Sequence, residues 1–376
     1  MRVLFWSETF YPEIGGVEVL ATKLLAALRD RGYELVVVAR EERQNLPTVS
    51  EYDGIPVHRF PFRQALQARD VDLVMDIRRQ LSKLAGAFRP DLVHLYFSGP
   101  SLIFLRHVTR MHRAPLLISL HNTYESVEPN TALGSALCSA NWIVACSATA
   151  LTAVRRCLPE IVPISCSIVN GLELPTLPPE PLPFAAPRLL CLGRVAPQKG
   201  FDIALTAFAG LVDRFPSTRL IVAGDGPDLA GLREQAAGLG IADVVDFIGW
   251  VAPDQVPALI NRATLVLMPS RWEGLPLVAI QAAQMARAVV GTRVGGLPEI
   301  VVHGETGLLV DQEDSRALTE AVASLLDHPQ TARQMGEAAR RRAKERFGWE
   351  RYVGAYDGLY RQLVGSSARE GARSRR

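Results

Sequence analysis

Short apolar runs separated by longer stretches of helical spacing set the pattern of this chain. Residues 3–6 form the first run, and 35–39, 92–95, 116–120, 143–146 and 164–169 continue the series. Runs of this length with little polar alternation belong to strands covered on both faces. Between the first two, Leu20, Leu24, Leu25 and Leu28 recur at helical spacing, which predicts a helix over 17–31. The second half repeats the alternation at 188–192, 219–223, 244–247, 265–268, 289–291 and 307–310. Strands alternating with amphipathic helices predict an α/β chain built on doubly wound sheets.

Six prolines, Pro175, Pro178, Pro179, Pro181, Pro183 and Pro187, crowd the stretch before the run at 188. Proline at this density continues neither helix nor sheet, so the stretch reads as a connector. The expected organisation is a first domain over 1–173, a linker over 174–187 and a second domain over 188–348. From Trp349, the residues Tyr352, Val353, Tyr356, Tyr360 and Leu363 share one helical stripe, giving a last helix over 349–365; the polar, basic 366–376 is expected to be disordered. A length of 376 residues suits two cores better than one.

Composition narrows the function classes. A formal charge of +2 speaks against a nucleic-acid binder. Ser7-Glu8 follow the first apolar run too soon for a signal peptide, and no run approaches the roughly eighteen apolar residues of a membrane span. Cys138, Cys146, Cys157, Cys166 and Cys191 form no CxxC pair and no metal spacing, which suggests buried thiols in a reducing compartment. The cytoplasm is the expected location.

The densest chemistry lies at Arg271-Trp272-Glu273-Gly274-Leu275-Pro276, eight residues after whose glutamate stands Gln281. A carboxylate and a glycine turn precede an apolar helical segment that Pro276 is expected to open. Free amides at such a helix start, with the positive end of its dipole behind them, suit an anion. Gly193-Arg194 and Lys199-Gly200 follow the run at 188–192, and Gly224-Asp225-Gly226-Pro227 follow the one at 219–223. A glycine turn with a cation five residues on suits a diphosphate. Together these turns describe one crevice at the carboxyl ends of parallel strands. No cluster of His and Asp with metal-ligand spacing stands out, and no metal is expected.

These blocks, with Pro12-Glu13-Ile14-Gly15-Gly16-Val17-Glu18, His121-Asn122, Asn170-Gly171, Phe247-Ile248-Gly249, Pro269-Ser270 and Gly295-Gly296-Leu297-Pro298-Glu299, span nearly the whole chain. In this order they resemble the GT-B retaining glycosyltransferases of the family 4 (glycosyl transferases group 1) type. The resemblance implies two Rossmann-like domains facing across a cleft, the first for the acceptor and the second for a UDP- or GDP-sugar. It implies that the last helix braces the first domain, that no cofactor is needed and that domain closure completes the site. The acceptor is a glycan, a lipid-linked or a small molecule. The family pattern assigns Glu273 to the donor sugar and to oxocarbenium character, and His121 to the neighbourhood of the transferred sugar. Arg194 and Lys199 fall to the diphosphate, with Gly15, Gly16, Gly226, Gly274, Leu275 and Leu277 lining the donor, and Val251 to the base. Gln281 stands where relatives carry a second glutamate, usually bonded to the ribose, and Asn122 where many carry aspartate.

Three further readings are open. Gln281 suits a sugar-nucleotide sensor of weak catalytic power. A dinucleotide-dependent oxidoreductase is disfavoured because the first βα turn lacks Gly-x-Gly-x-x-Gly spacing. Between Arg59 and Arg113, ten arginine or lysine residues stand against four aspartates. There the segment 76–89 reads either as a basic amphipathic helix lying on anionic lipid or as a solvated helix of an α/β domain.

Overall fold

The computed structural model describes residues 1–13, 15–41, 46–111 and 114–373, with side chains through 366. Ile14 and Arg113, both part of the sequence readings, lie outside the described residues, as do 374–376. The chain divides into two compact units, Met1–Ile168 with Val353–Arg376, and Val169–Tyr352.

The first unit holds an eight-stranded sheet: β1 (Arg2–Ser7), β2 (Glu34–Arg40), β3 (Val49–Tyr52), β4 (Ile55–Phe60), β5 (Leu92–Phe97), β6 (Leu116–Leu120), β7 (Trp142–Ala145) and β8 (Ser165–Ser167). Their order is β3-β4-β2-β1-β5-β6-β7-β8, and only the β3–β4 pairing is antiparallel. The central strands are buried nearly throughout, as their continuous apolar sequences require. The β3–β4 pair is absent from the sequence reading because Pro56, His58 and Arg59 break its apolar run. Helix Val71–Phe88 turns Ile77, Leu81 and Ala85 into the core.

The second unit holds six parallel strands: β9 (Arg188–Leu192), β10 (Arg219–Ala223), β11 (Val245–Gly249), β12 (Leu265–Met268), β13 (Val289–Thr292) and β14 (Gly307–Val310). Their order is β11-β10-β9-β12-β13-β14. The chain winds outward one way from β9 through β10 and β11, then returns past β9 to β12. The gap beyond the ends of β9 and β12 is therefore the switch point where open α/β sheets bind ligands.

Three boundaries differ from the sequence reading. The chain divides at residue 168, and the proline-rich stretch belongs to the second unit. It is tied there by Asn261, whose Oδ1 accepts from the Glu180 amide at 3.1 Å and whose Nδ2 donates to the Pro178 carbonyl at 2.8 Å. The last helix runs from Trp349 to Arg373, past the expected end at 365, since no proline interrupts the stretch and its Ala368, Arg369 and Glu370 favour helix. Of the five cysteines, all free, Cys146 and Cys191 are buried and Cys138 is exposed.

Candidate functional site

In the second unit the ends of β9, β10 and β11 and the loops that follow are fixed to one another by backbone contacts. The Gly193 amide donates to the Ala223 carbonyl at 3.0 Å, the Gly224 amide to Gly249 at 2.7 Å, and the Val195 amide to Asp225 at 2.9 Å. A Cβ at Gly226 would stand 2.1 Å from the Val195 carbonyl oxygen, so only glycine permits this approach. The two turns reading as diphosphate sites thus form one surface at the sheet's switch point. Arg194 projects from it, exposed, and forms no ion pair among the described residues.

The loop after β12 carries the buried centre of the site. Glu273 is 4% exposed. Its Oε1 accepts from Lys199 Nζ at 2.6 Å and from Ser270 Oγ at 2.8 Å. Lys199 follows β9 and Glu273 follows β12, the two strands that flank the switch point. Lys199 is thus bound to a carboxylate rather than a solitary cation, which the sequence reading did not foresee: the partners lie 74 residues apart. Ser270, quoted there only as part of a motif, is the second anchor of that carboxylate.

Neighbouring groups hold the loop rigid. The Asn170 side chain donates to the Leu275 carbonyl at 3.1 Å and the Gly296 amide to Gly274 at 2.9 Å. At Gly295, whose φ is +49°, a Cβ would lie 1.8 Å from the Glu273 carbonyl oxygen. Arg271 grips both Asp202 oxygens at 3.0 and 2.7 Å and Glu313 at 2.6 Å, leaving its neighbour Trp272 half exposed. This bidentate clamp fixes the approach to Glu273.

Helix Leu277–Gln284 starts one residue later than expected. Pro276 is its cap, with φ −72° and ψ 121°, so extended proline backbone ends the loop and the amides from Leu277 onward are the free ones. Buried Arg287 braces the far end, donating to the carbonyls of Ala263 and Met285 at 2.8 Å each. Gln281 sits one turn into the helix, half-buried, and Val251 follows β11 at the same sheet edge.

In the first unit Gly15 caps helix Gly16–Asp30 with extended backbone, and the Glu18 carboxylate, held by the Thr9 hydroxyl, folds back over it. His121 directly follows β6 and is 8% exposed. Neither ring nitrogen has a hydrogen-bond partner, while the Tyr96 ring packs against the imidazole at 4.4 Å. Burial pushes its pKa down to about 4, opposed by the Tyr96 backbone, so the ring is neutral at physiological pH. Asp70-Val71-Asp72 is an Asp-x-Asp spacing that the sequence reading overlooked. Asp70 caps helix Val71–Phe88, its Oδ1 accepting from the Leu73 amide at 2.9 Å, which explains the pair structurally.

Known proteins complete the picture. The family model described as Glycosyl transferases group 1 matches residues 180–342, and that described as Glycosyltransferase Family 4 matches 14–169. A glycogen synthase of Mycobacterium tuberculosis is 27% identical over 96% of this chain and 94% of its own. Sucrose-phosphate synthase from Thermosynechococcus elongatus superposes with a TM-score of 0.84 at 22% identity, covering 97% of this chain and 99% of that one. HepE of Anabaena, crystallised with UDP-glucose, gives 0.74 at 22%, covering 97% and 100%. With family models over both halves and this fold beneath them, the chain belongs to the GT-B glycosyltransferases of the family 4, group 1, type.

Proposed function

We propose that this transferase moves a sugar from a UDP- or GDP-sugar to a glycan, lipid-linked or small-molecule acceptor, with retention and without a divalent metal. The observation that carries the reading is the buried Glu273 carboxylate held by Lys199 and Ser270 at the switch point of a parallel sheet. As the glycosidic bond to the diphosphate breaks, negative charge grows on the leaving group. Arg194, Lys199 and the amides opening helix Leu277–Gln284 meet that charge with fixed dipoles and cations. Glu273 accepts hydrogen bonds from the donor sugar's hydroxyls and faces its oxocarbenium character, Gln281 bonds the ribose, and the Val251 backbone reads the base. His121 serves the transferred sugar, and Gly15-Gly16 the diphosphate or the acceptor. Double displacement through a second carboxylate is disfavoured, because Gln281 is neither nucleophile nor acid.

Saturation-transfer NMR with UDP-, GDP- and ADP-sugars in EDTA, beside Arg194→Ala, tests this reading. One donor should bind and be cleaved slowly, with both signals lost in the variant. No binding to any donor would overturn the assignment. Binding without cleavage even when acceptors are supplied would favour the sensor reading that Gln281 suggests.

The reading also places the first unit in peripheral contact with anionic lipid. No helix among the described residues is long and apolar enough to cross a membrane. Of the apolar positions that the sequence offered to lipid, Ile77 and Leu81 are buried in the core and Leu84 and Phe88 pack against it. The outward residues of that helix include Arg79 and Lys83, the acid Asp72, and the apolar Val71, 71% exposed, and Met75. Two exposed apolar side chains offer little area, so any binding should depend on charge and vanish with salt. Sedimentation with anionic vesicles should be modest in the parent and lost in Arg78→Glu with Arg79→Glu; equal sedimentation of the two would sink the idea.

A further inference from the structure

Behind His121 lies a chain of buried polar groups that the family motifs do not include. His94 on β5 places Nδ1 2.5 Å from the Tyr360 hydroxyl and Nε2 2.8 Å from Ser119 Oγ on β6. Ser119 Oγ in turn lies 3.0 Å from the Tyr356 hydroxyl. All four residues are buried, and Tyr356 and Tyr360 come from the part of the last helix that belongs to the first unit. Burial holds His94 neutral, so one ring nitrogen donates and the other accepts. Two proton arrangements run through the whole chain. Either Tyr356 donates to Ser119, Ser119 to Nε2 and Nδ1 to Tyr360, or every bond is reversed. Loss of either phenol leaves a buried group unmatched and biases the imidazole.

The chain reaches His121 through one ring. Tyr96 meets His94 edge-on at 5.5 Å and 81°, and on its other side packs against His121 at 4.4 Å. Phe5 backs both His94 and Tyr96, at 5.2 and 4.9 Å. Tyr96 meets His121 with its backbone as well as its ring. The orientation of the imidazole is therefore set at Tyr96, and the Tyr96 ring is the packing surface.

We propose that Tyr356 and Tyr360 are positioning residues for His121, acting through Ser119 and His94 on the Tyr96 ring. The last helix is then part of the catalytic apparatus of the first unit and not only a brace. This rests on the reading of His121 as a residue at the transferred sugar, and the test separates the two. In full-length protein labelled with 15N-histidine, the His121 ring resonances are identified by their loss in His121→Asn, then compared in Tyr356→Phe, Tyr360→Phe and Leu363→Ala. Leu363 is buried on the same helix but is no member of the chain.

Both phenylalanine variants should shift the His121 resonances and lower kcat by about tenfold, within what small misplacement costs, with the donor KM changed less than about twofold. Leu363→Ala should cost stability yet leave resonance and kcat in place. Unmoved His121 resonances in the phenylalanine variants, or equal movement in Leu363→Ala, would overturn the proposal. Shifted resonances with unchanged kcat would instead uphold the linkage and remove His121 from the reaction.

Discussion

Lys199→Ala should lower turnover by about 10² to 10³, the range found when a fixed charge facing a developing anion is removed. It should also destabilise the second unit by about 1 to 3 kcal/mol, because buried Glu273 keeps Ser270 but loses its cation. These losses have different origins, and a second substitution separates them. Adding Glu273→Gln to Lys199→Ala removes the buried charge while keeping an acceptor for Ser270, so the urea midpoint should recover much of its fall. Turnover should stay low, since neither the cation nor the carboxylate is restored. Recovery of turnover in the double variant would show that Lys199 serves only to neutralise Glu273, and would remove it from the diphosphate. Arg194→Ala is the contrasting case. That side chain is exposed and without an ion pair among the described residues, so its loss should touch donor binding and leave stability within about 0.5 kcal/mol.

The parts of this fold that were legible in the sequence are those written in local periodicity. Most strand runs appear where their apolar residues stand, because parallel strands covered on both faces leave little room for polar interruption. β3 and β4 escaped because an edge pair tolerates the polar residues that hide it, here Pro56, His58 and Arg59. The glycine turns and the loop around Glu273 were legible for a different reason. A turn after a strand shows its conformational demands in consecutive residues, and Gly226 and Gly295 are required by carbonyls that approach where a Cβ would be.

What no local pattern carries is pairing at long range. Lys199 read as one more cation after a glycine turn until the sheet order brought β9 beside β12. Tyr356 and Tyr360 read as one helical stripe, and His94 lay within the run at 92–95 without being singled out. Their shared chain of hydrogen bonds depends on a helix more than 260 residues further along the sequence. Composition could suggest that a histidine inside an apolar run needs partners. It could not say which.

Acid should loosen the first unit well before its carboxylates are all protonated. His121 has its pKa pushed down to about 4 by burial, and His94, also buried and facing His121, lies well below the ordinary value. In the unfolded chain both titrate near the usual value of about 6.5. Between these limits the unfolded state takes up protons that the folded state refuses. Stability is therefore complete above pH 6.5 and declines as the pH falls toward 4. His121 alone accounts for about 2 kcal/mol by pH 5 and about 3 kcal/mol by pH 4, and His94 adds a loss of the same sign. Urea midpoints at pH 7.5 and pH 5 check this directly. The parent should lose a large part of its stability over that interval, and His121→Asn should lose about 2 kcal/mol less, whatever its starting stability. Parallel declines in parent and variant would mean that His121 is protonated in the folded protein at pH 5. In that event its buried nitrogens would both need acceptors within the fold, and those bonds would join the packing against Tyr96 in orienting the ring.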